Sequence, residues 1–204
     1  MVAGLRHVGS RGPRVEAYDY RTHRVDVLIS GVGMVSTAAW CARVLALKTY
    51  DFALNAGVCG SFDPALTPGS VAHVVCDRLV ELGAEDGEAF LTTEQLGLPA
   101  DYECRNSAPP NNAALAALPT VRGVTVNTVH GNPVTIAETV RRFMPQVESM
   151  EGAAFMYACA ASATPSAQVR AVSNMVERRN RAAWKMPEAV EQLGKAILDI
   201  LANA

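Results

Sequence analysis

Glu151 opens the list of residues able to do chemistry. It stands in VESMEGAAF, Val147 to Phe155, and is followed by Gly152, Ala153 and Ala154 at the mouth of GAAFMYACAASA, a segment with no other charge. A carboxylate at a helix start gains about 0.3–1 kcal/mol from the helix dipole. That gain does not account for the three small residues, which leave room for something to pack against the helix start. A carboxylate there can also accept hydrogen bonds from two vicinal hydroxyls, such as those of a ribose. The second place is VRAVSNMVERRNRAAW, where Ser173 and Asn174 close an apolar run. An asparagine both donates and accepts, which suits a purine edge, and it is equally a turn former at a strand end. The arginines Arg178, Arg179 and Arg181 just beyond it suit either a solvated loop or a carboxylate on a ligand.

Two glycine-rich stretches come earlier in the chain. GVGMVS, Gly31 to Ser36, follows a strand-like run and opens a helix-like one, with Asp51 twenty positions beyond Gly31. Ser36 stands where a dinucleotide-binding turn needs Gly or Ala, so a nicotinamide cofactor is not expected. What remains is either a tight strand-to-helix turn or a backbone able to approach a ligand closely at a helix N-terminus. NAGVCGSF, Asn55 to Phe62, reads as a second glycine turn, and two such turns on neighbouring strands would line one edge of a pocket. His130, in VHGN, reads as a turn-lining residue in preference to a general base. No His/Cys/Asp spacing suggests a metal, and there is no GxSxG elbow.

These residues sit in a chain of 204 with 50% hydrophobic and 19% charged residues and a net charge of -2. That length and composition fit one globular domain spanning 1–204, with a sizeable core. The charge gives no basic field for nucleic acid or an anionic membrane, so the expected partners are small molecules or protein chains. Five cysteines, with no CxxC pair, read as reduced and mostly buried in a cytoplasmic protein. The start, MVAGLRHVGSRGPR, has no apolar targeting core, and no apolar run has the length of a membrane span.

Alternating elements must carry the site. Val25–Ser30, 51–57, 70–77, 121–131 and 167–174 read as strands, the first a short β-branched run that stops at Gly31, and 35–48, 134–143, 151–163 and 187–204 read as helices, the first with its apolar residues three and four apart and the last amphipathic. ELGAEDGEAF reads as an acidic loop, and Ser107 to Pro119 as a loop with one short helix. Such alternation predicts an α/β layered fold whose ligands gather where strands end and glycine turns begin.

Taken together, GVGMVSTAA, NAGVCGSF, VHGN, VESMEGAAF and VRAVSNMVERRNRAAW resemble the purine nucleoside phosphorylase/nucleosidase superfamily in order and spacing, from about Arg24 to the C-terminus. ESMEGAAF and SNMVERRNRAAW are most similar to its futalosine hydrolase branch, of the menaquinone pathway. The resemblance implies a three-layer α/β/α sandwich with a mixed central sheet, a homodimer, no cofactor, and cleavage of an N-glycosidic bond in a purine nucleoside. It places the ribose hydroxyls on Glu151, with Met150 against the sugar and Val32 near it. Ser173 joins the substrate-binding residues, and Asn174 faces the purine and helps it leave. The walls of the base pocket carry over onto Val58, Cys59 and Gly60, with Thr128 and Val129 opposite. Adenine-specific members carry Asp where this chain has Asn174, which makes hypoxanthine the expected leaving group. Phosphorylases of the superfamily carry Arg and Ser where this chain has Asn55 and Val58, so without that guanidinium fork water is the expected nucleophile.

One departure stands out. The family opens on an apolar strand followed by a glutamate that activates the attacking water, and MVAGLRHVG reads as already past that segment, with the first strand missing. Glu16 is the nearby acid of the same type, but it falls in the next expected strand and is not given that role. A general base contributes roughly 10²–10⁴-fold. The alternatives kept open are a nucleosidase or phosphorylase for other purine nucleosides, and a non-catalytic nucleoside-binding relative.

Overall fold

A computed structural model describes residues 4–98, 103–106 and 109–204. Ser107 and Ala108, which open the expected Ser107–Pro119 loop, lie outside the described residues, as do the first three residues of MVAGLRHVG. The described chain opens on a three-stranded antiparallel sheet of β1 (Arg6–Gly12), β2 (Val15–Tyr20) and β3 (His23–Leu28). Two-residue turns join them, with Arg14 at φ 65° and Arg21 at φ 52°. Residues with positive φ match the right-handed twist of the strands they connect.

Next come α1 (Met34–Leu47), β4 (Ala53–Ser61), β5 (Val71–Leu79), the hairpin β6 (Gly83–Asp86) and β7 (Ala89–Thr92), β8 (Glu103–Arg105) and α2 (Ala113–Ala116). After them are β9 (Thr120–Thr125), α3 (Pro133–Phe143), β10 (Val147–Ser149), α4 (Gly152–Ala161), β11 (Ser166–Met175) and α5 (Met186–Ala202). The central sheet has the order β11-β4-β10-β9-β5-β8. It is mixed: β11 with β4, β10 with β9 and β5 with β9 run parallel, whereas β10 with β4, β5 with β8 and β5 with β11 run antiparallel. Because β5 pairs with β11 through Val71–Val74 and with β8 through Cys76–Arg78, the sheet curls until its ends meet.

Burial follows from that curl. Cys59, Ala72, Val74, Val121, Val147 and Val172 form a core of their own with Leu66. Outside, α1 and α4 pack over Leu28, Ala53 and Cys104 through Cys41, Phe155, Met156, Ala158 and Cys159. On the other flank Ala189, Leu193 and Ile200 of α5 and Leu115 of α2 cover Ala167, Val169 and Ala171 of β11. The three-layer α/β/α arrangement with a mixed sheet is the one the motifs implied. α4 is apolar around its circumference because it is buried nearly all round, whereas α5 keeps Glu188, Glu191, Lys195 and Asp199 off its buried stripe. Leu193 is 1% exposed, so truncating it to Ala costs about 2–5 kcal/mol.

Three expectations change. NAGVCGSF is not a turn, since β4 runs through both Gly57 and Gly60 to Ser61. The acidic ELGAEDGEAF stretch carries the β6–β7 hairpin, whose tight turn centres on Gly87 at φ 61°. β10 was not anticipated, because three residues are too few to show a period. GVGMVS, by contrast, is a true strand-to-helix turn, with Gly31 at φ 92° and Gly33 at φ 94°, values that favour glycine.

Candidate active site

Glu151 lies between β10 and α4, at the N-cap position of the helix, but its side chain makes no capping bond. One carboxylate oxygen, Oε1, accepts from the Gly33 backbone N–H at 3.1 Å. The other, Oε2, accepts from Arg170 Nη1 at 3.4 Å. The carboxylate is therefore fixed from two sides by the α1 turn and by β11. A carboxylate has about four lone-pair positions, so two remain for a ligand, and the side chain is 20% exposed.

Arg170 was not singled out by sequence reasoning. Its signal was a lone cation in the middle of the apolar run AQVRAVSN, since a charge in a buried strand needs a partner. Its guanidinium is 3% exposed and donates to Gln168 Oε1 from Nε at 3.3 Å and from Nη2 at 3.2 Å, and to the Val58 carbonyl at 3.5 Å. Gly57 makes room for it, as a Cβ there would overlap Nη1. Gln168 in turn donates to Asp77 Oδ2 at 2.9 Å, and Thr125 Oγ1 donates to Asp77 Oδ1 at 2.8 Å. Burial pushes the Asp77 carboxyl up to about 6, with the bonds from Gln168 and Thr125 and the Arg170 charge pulling the other way.

The same network explains the small residue after Glu151. A Cβ on Gly152 would overlap both Asp77 Oδ2 and Gln168 Oε1, and the Ala153 N–H donates to Thr125 Oγ1 at 2.8 Å. Gly152, read from the sequence as leaving room for a ligand, leaves room for these buried side chains. Ala153 and Ala154 are buried against the sheet.

A cavity of about 360 Å³ opens beside the carboxylate. It is lined by Val27 to Gly31, by Phe52 to Val58, by Cys41, Val44, Leu45 and Tyr50, and by Glu151, Phe155 and Arg170. Consecutive residues line it on both sides, so it runs along the facing edges of β3 and β4, which do not pair with each other; a strand face would contribute alternate residues. Of the residues expected to bind substrate, Val58 and Glu151 line this cavity. Val32 stands between Gly31 and Gly33, 76% exposed. Met150 is half-buried beside Glu151.

The expected purine side gathers at the ends of β4 and β11. There Val172 pairs with Cys59 and Asn174 with Gly60, so Ser173 is the extra residue of a β-bulge, a device that re-aims a side chain. Ser173 Oγ donates to Asn174 Oδ1 at 2.8 Å and lies 3.1 Å from the Cys59 carbonyl, while Asn174 Nδ2 donates to the Met175 carbonyl at 2.9 Å. Gly60 leaves space for Val176 and Asn174. Desolvation pushes the Cys59 thiol up to about 12, so the thiol is neutral and not a nucleophile.

Two further carboxylates hold the loop that carries Thr128 and Val129, both exposed. Glu81 accepts from the Asn127 backbone and side-chain N–H groups at 2.8 Å each and from the Thr128 N–H at 3.3 Å. Buried Glu148 accepts from the His130 N–H at 3.0 Å and pairs with His130 Nδ1. The other ring nitrogen meets Thr139 Oγ1 at 2.9 Å. With both ring nitrogens engaged, His130 fastens the loop to α3 and β10. Hydrogen bonding to Glu148 raises the His130 pKa, against the opposing effect of burial. Glu16 lies in β2 and pairs with His7 at 2.8 Å. Arg179 and Arg181 lie over the Trp184 ring, 5.5 and 6.0 Å from its centroid.

This fold and site define a class. Residues 5–202 match the Phosphorylase superfamily, and the chain belongs to it. Within that class the chain is similar to futalosine hydrolase of Streptomyces coelicolor, at 35% identity over 184 residues that span 84% of this chain and 76% of the relative. It is also similar to futalosine hydrolase of Thermus thermophilus, at 31% identity over 86% of this chain and 80% of that one. Among solved structures, futalosine hydrolase of Helicobacter pylori strain 26695 superposes with a TM-score of 0.79 at 13% identity, over 98% of this chain and 88% of that one. A 5'-methylthioadenosine/S-adenosylhomocysteine nucleosidase of Colwellia psychrerythraea 34H, in complex with adenine, gives 0.77 at 19% identity, over 98% and 86%. At those identities the structures show the shared fold.

Proposed function

We propose that this chain is a single nucleosidase-like domain that hydrolyses the N-glycosidic bond of futalosine and releases hypoxanthine, as a cytoplasmic homodimer in menaquinone biosynthesis and without a cofactor. The observation that carries the reading is the Glu151 carboxylate, fixed by Gly33 and Arg170 with lone pairs left at the mouth of the cavity. The relatives named futalosine hydrolase supply the substrate class.

Breaking the bond builds oxocarbenium character on the ribose and negative charge on the base. In this reading Glu151 accepts from the two ribose hydroxyls and lies close enough to stabilise the cationic sugar. Because it is held before substrate arrives, little reorganisation accompanies the reaction. Asn174, re-aimed by the Ser173 bulge, turns its amide from the Met175 carbonyl to the departing purine. Cys59, Gly60, Thr128 and Val129 wall the base, and Met150 and Val32 flank the sugar. Arg170 is the one cation lining the described cavity, and Gln168, Val58 and Glu151 occupy it. With no guanidinium free to hold a phosphate dianion there, water is the nucleophile.

A second reading has support of its own. Glu151 is the one carboxylate lining the described cavity, so no second acid stands there to activate water, and nucleoside binding with little turnover is the alternative. Hypoxanthine release from futalosine, followed by chromatography with the wild type and Glu151→Ala, separates the two. Release that the substitution abolishes supports hydrolysis. Measurable binding with no release from any purine nucleoside supports the binder.

A further inference from the structure

The side chain of Gln168 can adopt only one orientation. Asp77 is an acceptor on one side of it and Arg170 is a donor on the other, and a primary amide offers one end to each. The amide nitrogen therefore faces Asp77 Oδ2 at 2.9 Å and the oxygen faces Arg170 Nε and Nη2 at 3.3 and 3.2 Å. Asp77 and Gln168 are each 1% exposed and Arg170 3%, so water offers no substitute partners. The line continues from Arg170 Nη1 to Glu151 Oε2. It returns through the backbone, because Gly152 rests directly on Asp77 and Gln168 and Ala153 N–H binds Thr125, whose hydroxyl donates to Asp77.

We propose that Asp77 and Gln168 are positioning residues: the acceptor character of Asp77 fixes the amide of Gln168, the amide fixes the Arg170 guanidinium, and the guanidinium sets the Glu151 carboxylate. The relay rests on the reading of Glu151 as the sugar-holding group and extends it to two side chains that touch no substrate. Its signature is directional. The carboxylates of Glu151 and Asp77 accept at its two ends, the Arg170 guanidinium donates toward both Glu151 and Gln168, and the amide of Gln168 passes the polarity on by accepting from Arg170 and donating to Asp77.

A charge swap tests it. Gln168→Glu sets two carboxylates against each other, and kcat for hypoxanthine release should fall about tenfold or more, with a smaller change in KM, as expected when a reacting group is misplaced. Adding Asp77→Asn restores the polarity: the new amide donates to the new carboxylate, its oxygen still accepts from Thr125, and the buried charge matches the wild type. The double variant should return to within about threefold of wild-type kcat, given that contacting residues couple strongly. The Gly33 amide proton, which donates to Glu151 Oε1, gives an NMR readout that needs no turnover. It should shift in Gln168→Glu and return in the double variant. Wild-type kcat with an unmoved Gly33 resonance in Gln168→Glu, or a double variant no better than Gln168→Glu in both measurements, overturns the relay. If the wild type itself releases no base, the proposed function fails, and the Gly33 resonance still decides the relay.

Discussion

Arg170 Nη1 lies 3.4 Å from Glu151 Oε2, with the guanidinium 3% exposed and the carboxylate 20% exposed. The cation is on the buried side of the pair and the anion on the open side. Such a pair differs from a surface salt bridge, because removing the carboxylate leaves a buried charge short of a partner.

Glu151→Gln keeps the size of the side chain and removes its charge. It should lower kcat for base release about 100-fold or more, the scale of losing one electrostatic contact to a transition state, while the fold is retained. Steady-state kinetics beside a circular dichroism spectrum checks both halves. A variant with wild-type kcat removes Glu151 from the chemistry.

Three glycine-to-alanine changes should separate by what surrounds them. Gly57→Ala meets Arg170, and Gly152→Ala meets Asp77 and Gln168; each should destabilise by about 1–3 kcal/mol, as overpacking does. Gly194, in α5, has nothing within 4 Å of its Cβ position, and Ala there should stabilise by about 0.5–1 kcal/mol. Urea midpoints at constant m-value give the ranking.

His130 makes stability depend on pH. Its folded pKa is raised above 6.5 by Glu148, so the folded state holds the proton more tightly than the unfolded chain. Its contribution is fully present below about 6.5 and is lost as pH rises through the raised value. Denaturant unfolding between pH 6 and 8 should show a decline for the wild type that is absent in His130→Gln. Parallel curves for the two proteins would contradict the assignment.

Asn174→Asp should change which base leaves. A carboxylic acid in place of the amide favours an adenine over a 6-oxopurine, as the resemblance to adenine-specific nucleosidases implies. The ratio of kcat/KM for 5'-methylthioadenosine over futalosine should rise by about tenfold or more, about 1.4 kcal/mol of discrimination. An unchanged ratio would place Asn174 away from the base.

Much of this was legible in the sequence because the signals were local. The glycines of GVGMVS predicted a turn, and Gly31 and Gly33 take the positive φ that such a turn needs. α1, α4 and α5 were readable from apolar spacing or an uninterrupted apolar run. The rest depended on long-range pairing. NAGVCGSF looked like a turn because its glycines are what a turn uses, yet Gly57 answers to Arg170, which is 113 positions away in sequence. Gly152 likewise answers to Asp77 and Gln168 on β5 and β11. The Ser173 bulge follows from register with Cys59 and Gly60, which one strand read alone does not reveal.

Hypoxanthine release from futalosine by the purified chain, measured in buffer free of phosphate and again with phosphate added, separates hydrolysis from phosphorolysis. Release should proceed at the same rate in both, with free sugar as the second product. Release that requires phosphate and yields a sugar phosphate would contradict hydrolysis.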